Sequence, residues 1–224
     1  MDSLNLFHRL DDVAGVNRNQ IAVMETLHEL GLHALLAAIP DSLTAAMSAE
    51  IARFPDCEVF QHGVGHINRG ADLRDEFPAT LDRRVQRRLL RDGKHRLEQL
   101  LGRPVVGYVP PWNYVSPTTL HVLGELGFHY LSAHVRHRFE TPLVQINVSV
   151  NVFSQYHPVK VLGRDELKLR VEQACRHYCP VGILYHPAAT PKRHLPPLCR
   201  FIRDVAQSSM TKSKWDEHCR RAAK

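Results

Sequence analysis

The chain has 224 residues, 44% of them hydrophobic and 23% charged, which is globular composition and the length of one α/β domain rather than two small ones. It contains no apolar run of about 18 residues, so no membrane-spanning helix is expected. Its five cysteines are odd in number and scattered, which argues against a disulfide framework and for reduced thiols.

The net charge of +6 is concentrated in "LDRRVQRRLLRDGKHRLEQLL" and in the tail "TKSKWDEHCRRAAK". In the first segment the charges alternate with Leu and Val at helical spacing, the pattern of a solvated helix face. No aromatic stacking platform or nucleic-acid motif accompanies them, so nucleic acid is not the expected partner.

The N-terminus "MDSLNLFHRLDDV" carries Asp2 and runs straight into a strand pattern, without the basic start and cleavage site of a secretion signal. A cytoplasmic protein is expected, or one whose leader has been removed. A strand over 4–10 ends at Asp11 and Asp12. Asn17 then caps a helix that Gly31 ends. "HALLAAIP" is a second strand stopped by Pro40, and Asp41 or Ser42 caps the helix "LTAAMSAEIARF". "CEVFQ" is the third strand and delivers His62 at its C-terminal end.

The long helix around 81–101 closes at Gly102, and "PVVGYVPPW" is the fourth strand. Ser116 caps and Pro117 starts the next helix, which ends at Gly127. "FHYLSAHV" and the alternating "VQINVSVNVF" are the fifth and sixth strands. "DELKLRVEQACRHYC" is a helix holding Cys175 and Cys179, "VGILYH" a seventh strand, and "LPPLCRFIRDVAQ" a closing helix. Residues 1–207 form the domain, and 208–224 a polar, basic, poorly ordered tail. Repeated strand–helix units predict a mainly parallel sheet, open or closed into a barrel.

In such folds the loops at the C-terminal ends of the strands share one mouth. Those ends carry Asp11 and Asp12, His62 and His66, Pro110-Pro111-Trp112-Asn113, and His186. A catalytic zinc ion takes three His or carboxylate ligands and keeps a position open for water, and Asp12, His62 and His66 make such a set. Asp11 can accept a proton from metal-activated water, and His186 can protonate a departing amine. Adjacent residues of an extended strand point opposite ways, so both acids reach one site only where the strand turns. The plainer readings are that the two acids cap a turn, that the histidines are surface or core residues, and that "VPPW" is a rigid turn.

The order "LDDV … HGVGH … VPPWN … ILYHP" resembles the polysaccharide deacetylase superfamily, from about Leu4 to Gln207. The resemblance implies a single-domain α/β fold, a distorted parallel (β/α) barrel of about seven strands, holding one zinc or similar divalent ion. It implies a hydrolase that removes N-acetyl groups from a sugar, polysaccharide or glycoconjugate. Asp11 matches the general base, His186 the general acid, and Asp12, His62 and His66 the metal ligands. Pro111, Trp112 and Asn113 match the substrate-binding wall and oxyanion region.

Two departures stand out. The family's motif arginine, which pairs with the base aspartate, falls at Val109, and Arg9, two positions before Asp11 on the same strand face, is a candidate substitute. The aspartate that tunes the acid histidine falls near Asn151. Hydrolysis of another non-peptide C–N bond and a non-catalytic carbohydrate-binding role are the competing functions.

Overall fold

A computed structural model describes residues 5–71 and 73–222. Leu4, expected to open the first strand, lies outside the described residues, as do Asp2 and the last two residues of the tail.

The chain alternates strand and helix: β1 (Leu6–Val13), α1 (Arg18–Glu29), β2 (Ala34–Ala38), α2 (Ala45–Ala52), β3 (Cys57–His62), α3 (Arg83–Leu101), β4 (Gly107–Val109), α4 (Pro117–Glu125) and β5 (Tyr130–Leu131). It continues with β6 (Val144–Gln145), β7 (Val148–Asn151), β8 (Phe153–Tyr156), β9 (Val159–Val161), α5 (Arg164–Cys175), β10 (Val181–Tyr185), α6 (Leu195–Asp204) and α7 (Lys212–Ala222).

Local chemistry sets most of the boundaries. The Asn17 side chain accepts from the Asn19 and Gln20 amides at the start of α1, and Ser116 caps α4 with Pro117 following it. Gly102, at φ 64°, ends α3 in the left-handed conformation. Helix α2 is capped by Thr44, not by Asp41 or Ser42, because the Ile39–Leu43 turn carries the chain further before the helix begins.

Eight strands form one parallel sheet in the order β6-β5-β4-β3-β2-β1-β10-β7, the distorted (β/α) barrel of a single α/β domain. β2 and β10 are buried along their whole length, as strands covered on both faces must be. The expected sixth strand is broken into β6 and β7. Its first half pairs with β5 and its second with β10, so one stretch of chain joins the two sides of the sheet. The amides of Ile146 and Val148 continue the bonding to the β5 side. The antiparallel hairpin β8–β9 follows, unforeseen in the sequence.

Strand parity separates two cores. Leu6 and Leu10 face the helices, whereas Phe7, Leu35, Phe60, Val109 and Leu184 fill the barrel interior. There is room for these rings because Gly182 and Gly107 lack side chains: a Cβ would meet Phe7 at 2.4 Å and Phe60 at 2.3 Å. Continuing each strand by two residues along the interior face leads from Phe7 to Arg9 and Asp11, from Phe60 to His62, and from Leu184 to His186. The polar site therefore sits on top of an apolar plug.

The plug is closed from below by the segment expected to be a polar, poorly ordered tail. The Met210 amide donates to Leu6 O at 2.7 Å, and His33 donates its amide to Met210 O at 2.9 Å. Helix α7 then buries Trp215, which lies 5.3 Å from the Phe7 ring, stacks on His33 at 4.4 Å and donates to Glu58 Oε2 at 2.6 Å. The polar composition of the tail hid an apolar pair, Trp215 and Cys219, spaced i and i+4 on one helix face. Cys179 lies beyond α5, separated from Cys175 by a turn, and all five cysteines are free. Among the described residues, no helix is long and apolar enough to cross a membrane.

Candidate active site

Asp11 and Asp12 stay within β1, and a bulge brings both to the mouth. Against β2, Leu10 pairs with Leu36 but Val13 with Ala38, so β1 holds one extra residue there. Asp12 takes it up with a left-handed φ of 62°, and the Gln20 side chain fixes the turn by donating to Asp12 O at 2.9 Å. The strand does not end at the acids; it kinks through them.

His62 closes β3, buried, and donates Nδ1–H to Val109 O at 2.9 Å. A carbonyl can only accept, so this bond fixes the tautomer and turns Nε2 of the neutral ring towards Asp12 as an acceptor. The chain then wraps around Glu76, a buried carboxylate that accepts from the Val64 and Gly65 amides at 3.0 and 2.8 Å. Gly63 is required here. Its φ is 59°, and a Cβ would fall 1.9 Å from Glu76 Oε2 and 2.6 Å from Pro111. The wrapped loop returns His66, itself at φ 55°, to face His62, with ring centroids 4.9 Å apart.

Asp12 Oδ1 consequently lies 3.5 Å from His62 Nε2 and 3.6 Å from His66 Nε2. One donor atom from each of the three residues falls within 4.8 Å of the others. Tetrahedral ligands on bonds of about 2.0–2.2 Å stand roughly 3.4 Å from one another, so the donor set fits a small divalent cation. Burial alone would raise the Asp12 carboxyl. The adjacent His62 and the charges of His62, His186 and His66 outweigh it and hold the group at about 2. His62 is shifted upward: burial opposes this, but Asp12, Asp11 and the Val109 carbonyl prevail. Burial and the neighbouring His62 lower His66.

The other acid has a different partner. Arg9, fully buried, donates Nη2–H to Asp11 Oδ2 at 3.0 Å, and its Nε stands 2.9 Å from Oδ1, off the hydrogen-bonding direction. The same guanidinium donates to Ser132 O at 2.8 Å and to Asn113 Oδ1 at 2.9 Å. The structure thus pairs Asp11 with the cation from its own strand, while Val109 is buried in the apolar interior.

Of the expected substrate-binding residues, Trp112 and Asn113 line the cleft and Pro111 is buried behind it, against Gly63. The Trp112 ring lies 4.6 Å from that of His66.

His186 also lines the cleft, stacked on Phe153 at 5.5 Å. Burial lowers its pKa, with the Asp11 and Asp12 charges opposing. Asn151 does not bond to it directly. The Asn151 amide donates to Tyr156 Oη at 2.7 Å, and that hydroxyl lies 3.4 Å from each His186 ring nitrogen. Burial, opposed by the Asn151 bond, pushes the Tyr156 hydroxyl up to about 12, so it stays protonated. Tyr156, Glu76, Arg74 and His157 were not anticipated from the sequence; all but Glu76 line the cleft of about 400 Å³.

Among the described residues, the non-glycine positions at positive φ are Asp12, His66, Trp112 and Asn113. All four line this one cleft. Such conformations cost of order 1–3 kcal/mol each and gather where a site's geometry over-determines the backbone.

No family model and no curated protein sequence matches the chain. Solved structures do. A candidate polysaccharide deacetylase from Mycobacterium smegmatis superposes with a TM-score of 0.72 at 19% identity, covering 98% of this chain and 91% of that one. A family 4 acetyl xylan esterase from Clostridium thermocellum, in complex with a cobalt ion, gives 0.63 at 15% identity over 94% and 89%. A family 4 pseudoenzyme from Bacillus anthracis gives 0.64 at 14% identity over 94% and 65%. With its strand order, mouth and cleft in place, the chain has the fold of the polysaccharide deacetylases and family 4 carbohydrate esterases.

Proposed function

We propose that this chain is a metal-dependent carbohydrate N-deacetylase, acting on an N-acetylated sugar, polysaccharide or glycoconjugate. The observation that carries this reading is the pairing of two differently held carboxylates at one mouth. Asp12 faces two imidazole nitrogens at 3.5 and 3.6 Å, and Asp11 faces a guanidinium at 2.9 Å. Asp12, His62 and His66 would hold a zinc or similar ion, which when bound supplies Lewis acidity to water and to the acyl oxygen.

Arg9 and the bulge hold Asp11 at the cleft as the acceptor of the proton that water loses. His186, which lines the same cleft, delivers a proton to the departing amine nitrogen. Tyr156, held by Asn151, keeps a neutral hydroxyl beside that imidazole. Trp112 gives the sugar ring an apolar wall.

The test combines metal analysis with acetate release from N-acetylated oligosaccharides before and after chelation. About one equivalent of metal, with activity lost to the chelator, restored by zinc and absent in Asp11→Asn, is the expected result. Metal and sugar bound with no acetate released from any N-acetyl substrate would identify a binding protein instead.

A further inference from the structure

A second cavity, of about 680 Å³, meets the cleft at a shared wall made by Asn151 and Tyr156. It is bounded by β7, by the C-terminal half of α5 and by the residues that follow β5. Its lining includes Arg136, Arg170, Arg176, His134 and His177, and neither Asp nor Glu. Arg170 is engaged by Glu166 at 2.8 Å, whereas Arg136 and Arg176 enter no ion pair among the described residues. Gln173 adds a neutral donor, whereas the Ser149 and Ser154 hydroxyls already donate to Gly182 O and Lys160 O.

Neutral sugar hydroxyls can accept from guanidinium groups but do not require their charge, whereas a lining with three arginines and no carboxylate favours a charged ligand. Uncompensated like charges lining one cavity repel one another, and their natural counterpart is an anion. Guanidinium is planar, weakly hydrated and always charged, and its paired donors match a carboxylate or a phosphate. The mouth next door carries two carboxylates of its own, so the charged groups of a bound substrate would be sorted, acyl group over the mouth and anion over the groove.

Resting on the deacetylase reading above, we propose that this groove is an anion subsite. The substrate is then an N-acetylated glycan bearing a carboxylate or phosphate on, or next to, the acetylated sugar, and Arg136 and Arg176 hold that group.

The test is calorimetric binding to the zinc-loaded full chain. One probe is an oligosaccharide of alternating N-acetylglucosamine and glucuronate, which carries carboxylates. The second is N-acetylglucosamine 1-phosphate, and the neutral comparator is a chitooligosaccharide. The expected result is that one anionic probe binds about ten-fold more tightly than the neutral one at roughly 0.05 M salt, and which probe does so names the anion. The preference should shrink severalfold at about 0.5 M salt. It should disappear when Arg136→Ala and Arg176→Ala are combined.

Equal affinities, no binding of either anionic probe, or a preference that survives the double substitution would each overturn the subsite. Acetate release separates the two levels. Release without an anionic preference leaves the deacetylase reading standing and removes the groove. Preference without release from any probe does the reverse.

Discussion

Replacing Arg9 by Met tests whether the cation on β1 is what holds the Asp11 carboxylate. Arg9 is fully buried and reaches Asp11, Ser132 and Asn113 through one guanidinium. Methionine fills most of the stem volume but leaves Asp11, itself 3% exposed, as a buried carboxylate without a counter-charge. Removing one member of a buried pair costs about 3–5 kcal/mol. The orphaned Ser132 carbonyl and Asn113 amide oxygen add to this, though not independently, so roughly 4 kcal/mol is a working value.

That loss is a large share of a total stability of about 5–15 kcal/mol. With a urea dependence of about 2–3 kcal/mol per molar, the unfolding midpoint should fall by roughly 1.3–2 M. Arg9→Lys should recover about half the loss, because it keeps the charge but replaces the fork with a single point donor. Urea titration of the metal-free protein, followed by tryptophan fluorescence, reads both variants. If Arg9→Met lies within about 0.5 kcal/mol of the parent, the pairing contributes nothing and the reasoning fails.

Three further outcomes are expected. Zinc at about 100 times its dissociation constant should raise the unfolding free energy by about 2.7 kcal/mol, and His66→Ala should abolish the increment; an increment that persists removes His66 from the donor set. His8 and His33 are buried and held at about 3, chiefly by desolvation, against 6.5 unfolded. The unfolded chain therefore binds protons that the fold excludes: stability is complete above about pH 6.5 and declines as pH falls towards 3, approaching about 1.4 kcal/mol per pH unit for each imidazole. His8→Gln should make the acid limb of denaturation shallower, and an unchanged slope would contradict this assignment. Gly63→Ala should cost more than about 2 kcal/mol and release zinc, because φ is 59° and the new methyl group strikes Glu76 at 1.9 Å; a stable, zinc-loaded variant would show that the loop can rewrap.

The sequence speaks clearly where one residue decides a local structure. Asn17 and Ser116 cap their helices, Gly102 ends α3, and the fully apolar β2 and β10 announce a sheet covered on both faces. Strand parity also made Arg9 visible as a partner for Asp11, since residues two apart share a face. Glu76 could not be seen in this way: it acts on amides 11 and 12 residues upstream, through a loop with no periodicity. Tyr156 depends on a hairpin whose pairing is tertiary, and α7 on two apolar residues diluted among charges. What pattern reading misses is contact between segments whose local sequence carries no instruction to meet.

That Asp11 is paired with a cation from its own strand, and not from β4, has a structural consequence. A guanidinium on β4 would hold Asp11 across two intervening strands, and its aim would change with any relative shift of β1 and β4. Arg9 is tied to Asp11 by one strand's own repeat, so their spacing follows β1, and the guanidinium is also anchored across the interior to Ser132 and Ala133. Buried Val109 packs the interior, and its backbone carbonyl, which any residue there would supply, fixes the tautomer of His62. The two acids are thereby kept chemically distinct, Asp11 against a permanent cation and Asp12 against imidazoles that must be neutral to bind metal. Adjacent carboxylates can divide a proton-accepting role from a metal-holding one only when their surroundings differ in this way. The bulge at Asp12 makes that difference possible, because without the extra residue one of the two would face away from the mouth.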